Sequence, residues 1–102
     1  MAHTDSSLGP QPGRDLGGAV DEALRISQHI RRVRQQTRAA QRSAAESFDK
    51  SADSHDRAAE SYDRLAELSA CDSEYGQHAA RHREFAQDDR GMAERLRKMA
   101  ER

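Results

Sequence analysis

From Ala19 to Ala70, small and apolar residues return at alternating intervals of three and four, and neither glycine nor proline interrupts them. Ile26, Ile30, Val33, Thr37 and Ala40 project from one side of a helix at 100° per residue. Ala44, Phe48, Ala52, His55, Ala59, Tyr62 and Ala66 continue the same stripe. The spacing predicts one long helix over 19–70. A bend or break is open near 38–46, where an aliphatic, Arg-rich composition gives way to alanine and acids. Past Ala70 the pattern stops, and Cys71 to Gly76 reads as a turn with cap candidates in Asp72 and Ser73. A second helix is expected over 77–100, with His78, His82, Phe85, Asp89, Met92, Leu96 and Met99 along one stripe. Gly91 lies inside it and costs about 1 kcal/mol relative to alanine. The fold class that follows is all-α: an antiparallel helical hairpin or coiled coil with one long and one shorter helix, completed by dimerisation. Residues 1–18 hold both prolines and four of the six glycines, which predicts a disordered tail.

The strongest regularity lies at 44–64, where AAESFDK, SADSHDR and AAESYDR follow one another, with a looser LAELSAC behind them. Each unit sets small residues and then a ring at fixed offsets, which describes a narrow seam. Each also places an acid four residues before a base (Glu46 and Lys50, Asp53 and Arg57, Glu60 and Arg64), the favourable order along a helix. A turn centred near 73–74 would bring Phe48 to Met99, His55 to Met92 and Tyr62 to Phe85. The expected interaction seam is therefore Ala45, Phe48, Ala52, His55, Ala59, Tyr62, Phe85, Met92 and Leu96.

Composition sharpens this picture. Apolar residues make up 34% of the 102, many of them alanine, and only four side chains are Phe or Tyr. At roughly 25 cal/mol per Å2 of apolar area, such a seam stabilises a lone chain weakly, so a second helix or a second chain must cover it. The net charge of −1 conceals segregation: residues 1–22 sum to −3, 23–45 to +6, 46–74 to −6 and 75–102 to +2. An antiparallel mate could lay its acidic block on the basic one, so a homodimer is expected. A single cysteine excludes an internal disulfide and fits a reducing compartment. No apolar run is long enough for a signal peptide or a membrane span, and a cytoplasmic location is expected.

Candidate chemistry is sparse. His78 and His82 stand four apart on one face, a spacing that suits zinc or copper, but the Glu that a zincin pattern requires after the first His is absent. They are candidate metal ligands for a metal-binding regulator. Arg31, Arg34, Arg38 and Arg42 line one flank and could meet the phosphates of a nucleic acid or an anionic membrane surface. No nucleophile–base set, glycine-rich phosphate loop or cofactor motif is present, so the expectation is a non-enzymatic protein without a cofactor. Its expected role is self-association and binding of a protein partner through helix faces. A polyanion binder is the alternative.

The AAESxDR units followed by QHAARHREFAQDDRGMAER resemble uncharacterised small helical proteins of high-GC actinobacteria that are rich in Ala, Arg, His and acids. The resemblance covers residues 44–102. It implies a helical hairpin in a bacterial cytoplasm and supplies neither an activity nor site residues.

Overall fold

The computed structural model describes residues 12–70 and 72–102, with side chains from residue 16 onward. It contains two helices, α1 over Pro12–Leu68 and α2 over Asp72–Glu101, and no described residue is in a strand. The expected all-α hairpin of one long and one shorter helix is what forms. Of the tail expected over 1–18, residues 1–11 lie outside the described residues, while 12–18 belong to α1. Proline is favoured at a first helical position, where its missing N–H has no partner to lose. α1 is also helical through 38–46, where the change in composition allowed a break.

α2 opens at Asp72, five residues earlier than expected. Asp72 and Glu74 occupy its first turn and Lys98 its last, so both ends carry charge that complements the helix dipole. The connection is thus shortened to 69–71, with Cys71 outside the described residues. No helix of the described residues is long and apolar enough to cross a membrane.

The chain divides into two units, Met1–Gln36 and Thr37–Arg102. In the first, residues 16–36 of α1 are all exposed. In the second, the rest of α1 packs antiparallel against α2. Among the described residues the fully buried side chains are all alanine: Ala45, Ala52 and Ala59 from α1, and Ala79, Ala86, Ala93 and Ala100 from α2. Both rows advance by seven, so each methyl meets the facing helix at the same phase of its turn. Methyl-sized residues let two helices approach closely, and that closeness pushes every larger side chain to the flanks. The α2 stripe is accordingly rotated from expectation. Its alanines turn inward, His78, His82, Asp89 and Leu96 are half-buried, and Phe85, Met92 and Met99 stay exposed.

On the flank, Tyr62 meets His78, His82 and Tyr75, and His55 meets His82 and Phe85, ring pairs nearer the turn than the expected partners Phe85 and Met92. A seven-residue alanine repeat by itself would tolerate a slip of one heptad, because alanine replaces alanine in the core. The turn and the flanking residues decide the register.

Candidate functional site

The hairpin concentrates its chemistry on the two flanks of the alanine seam. On one flank a ring cluster bridges the helices. Tyr62 stacks on His78 with centroids 4.9 Å apart and on His82 at 5.5 Å, with Tyr75 at 6.2 Å. His55 sits 5.1 Å from His82 and 5.3 Å from Phe85, whose ring meets His82 edge-on. Offset and edge-to-face pairs of this kind contribute about 0.5–1.5 kcal/mol beyond area burial. His55 Nδ1 and His82 Nδ1 are 2.8 Å apart, so one ring donates and the other accepts. Beyond His55, Asp89 Oδ2 lies 4.0 Å from Nε2 and is buried without a hydrogen-bond partner.

Interhelical ion pairs form a second set. Asp49 pairs with Arg97 at 2.5 Å, Asp56 with Arg90 at 2.6 Å, and Asp63 with Arg83. The acids advance by seven along α1 and the arginines retreat by seven along α2. Arg90 also reaches Asp53 at 3.2 Å. The hydrogen bond from Arg83 to Asp63, reinforced by the carboxylate charge, raises the guanidinium pKa above its ordinary value. Arg90 is raised likewise, first by its bond to Asp56. Of the i,i+4 pairs read from the repeat, Arg57 and Arg64 instead donate to Ser54 and Ser61 at 3.1 and 3.3 Å.

The candidate residues separate in the structure. Ala45, Ala52 and Ala59 form the buried seam; Phe48, His55, Tyr62 and Leu96 flank it half-buried; Phe85 and Met92 lie at its open edge. The four buried alanines of α2 were absent from the expected seam, although their strict seven-residue spacing matches that of Ala45, Ala52 and Ala59. His78 and His82 do share a face, but both rings lie against Tyr62. His78 Nδ1 faces Arg81 at 3.2 Å and His82 Nδ1 faces His55. Among the described residues no group of three or more His, Cys, Asp or Glu is placed to hold a metal. The arginine ladder is not uniform either. Arg31 and Arg34 line a shallow depression with Ser27 and Ile30. Arg38 donates to the Arg102 carbonyl at 2.8 Å, and Arg42 lines a depression with Glu46, Arg97 and Glu101.

No protein-family model matches the chain, and neither a curated protein nor a solved structure matches it significantly.

Proposed function

We propose that this is a non-enzymatic, cytoplasmic interaction protein whose hairpin self-associates as a homodimeric coiled coil and offers its helix faces to a protein partner. One observation carries the reading. Among the described residues everything fully buried is alanine, while Phe85, Met92 and Met99 stand seven apart on α2 and remain 36–48% exposed. A buried methyl contributes only about 0.8 kcal/mol, so the larger share of available apolar burial lies on a face the hairpin leaves open. A second hairpin laid along that face covers it and completes a four-helix layer.

Light-scattering mass combined with small-angle scattering tests this. The intact chain is expected at the mass of two copies. The triple variant Phe85→Ser, Met92→Ser, Met99→Ser is expected at one, with helicity retained because none of the three is in the alanine core. A single-chain mass for the unaltered protein at micromolar concentration rejects the proposal.

A further inference from the structure

A different surface remains, on the first unit of the chain. Leu16, Val20, Leu24, Ile26 and Ile30 are between 44% and 68% exposed. The same helical stretch enters a run, residues 23–45, that holds six arginines and no acid. Arg31 and Arg34 flank Ile30 directly, sharing one depression with it. Among the described residues no carboxylate pairs with Arg31, Arg32 or Arg34, whereas Arg25 is held by Glu22 at 3.4 Å. Exposed aliphatics and uncompensated arginines therefore coincide on one helical segment.

We infer that residues 16–34 of α1 dock on the surface of an anionic lipid bilayer. The helix lies in the plane of the interface, its aliphatic side chains enter the acyl boundary, and its arginines meet the lipid phosphates. That is the arrangement a basic amphipathic helix adopts at a membrane surface. The long arginine stems can run along the apolar face while their guanidinium groups stay at headgroup depth.

Charge and apolar exposure together weigh against the other occupants. A second copy would have to neutralise the arginines with its acidic block, in which Asp49, Asp53, Asp56 and Asp63 are already held by Arg97, Arg90 and Arg83 within the hairpin, so only the five remaining carboxylates of 46–74 could serve. Pairing this segment with itself in parallel sets arginine against arginine, and an antiparallel pair offers the arginines only Asp21 and Glu22, the latter already held by Arg25. A nucleic acid would satisfy the arginines and leave Leu24, Ile26 and Ile30 in water. An anionic bilayer satisfies both halves of the surface at once.

Flotation of the full chain with vesicles tests the inference, using phosphatidylcholine alone and phosphatidylcholine mixed with phosphatidylglycerol. The protein is expected to float with the mixed vesicles, not with the neutral ones, and to be released by salt. Arg31→Gln and Arg34→Gln should each weaken partitioning about fivefold. The pair Ile26→Ser, Ile30→Ser should weaken it more than about tenfold. Both sets leave the thermal midpoint of the hairpin unchanged, since these side chains are exposed. Equal flotation with neutral vesicles, or none with either, overturns the inference. So does undiminished binding by the isoleucine variant, which would mean that the arginines alone hold a polyanion. A halved light-scattering mass for that variant also overturns it, because the face would then be a contact between copies.

Discussion

At the residue scale, the histidine pair is the most informative contact. A single hydrogen fits between two Nδ1 atoms 2.8 Å apart, so the two neutral rings must adopt opposite roles. Asp89 Oδ2 lies on the Nε2 side of His55 and has no other polar partner. That oxygen favours a hydrogen on His55 Nε2, which leaves the His55 Nδ1 lone pair to accept from His82 Nδ1–H. We expect nitrogen-15 NMR of the neutral rings to show the Nε2–H tautomer for His55 and the Nδ1–H tautomer for His82. The reverse assignment would refute this role for Asp89. His82→Phe tests the energetics: it keeps a ring against Tyr62 and removes the donor to a half-buried acceptor. A loss of about 1 kcal/mol in urea unfolding is expected, and an unchanged midpoint would show that water replaces the bond at no cost.

At the level of elements, α1 and α2 meet through a core that cannot choose its own register. Alanines repeat every seven residues on both helices, so sliding one helix by two turns rebuilds the same seam. The aspartate–arginine ladder breaks that degeneracy, because a slip by one heptad leaves an acid or an arginine at its end without a mate. Each pair is partly solvent-exposed and therefore weak, so the ladder selects a register more than it adds stability. A double-mutant cycle on Asp56→Asn and Arg90→Gln is expected to return a small favourable coupling that high salt reduces; a coupling that high salt leaves unchanged would mean the pair is far less hydrated than its exposure indicates. Much of this was legible in the letters. The stripe from Ala44 to Ala66 predicts the α1 seam, since small residues at helical spacing have few other uses. The α2 seam was missed because Phe85, Met92 and Met99 are the conspicuous apolar residues there, yet close helix approach selects the alanines beside them. The ladder was hidden because Asp49, Asp56 and Asp63 have another acid four residues on (Asp53, Glu60 and Glu67), so spacing along α1 names no partner for them and they read as solvated charge. The start of α1 at Pro12 was masked by Gly13, Gly17 and Gly18, which read as a tail.

For the whole molecule, the two units of the chain differ in what holds them helical. In Thr37–Arg102 the helices bury seven alanines and are tied by rings and ion pairs. Within residues 16–36, by contrast, no side chain is buried, so that stretch draws on intrinsic propensity and on pairs such as Glu22 with Arg25. Helices without tertiary burial are marginal in water, whereas a packed hairpin opens only near its global unfolding free energy. Amide hydrogen exchange should therefore be fast across 16–36 and slow across 45–59 and 79–93 in the free protein. Mixed phosphatidylglycerol vesicles should slow it across 16–36 and leave the hairpin amides as they were, because only the first unit gains a surface that shields it. Uniformly slow exchange in the free chain would require 16–36 to be already covered by another copy. The boundary of protection thus separates a helix that awaits a surface from one whose surface is its own second half.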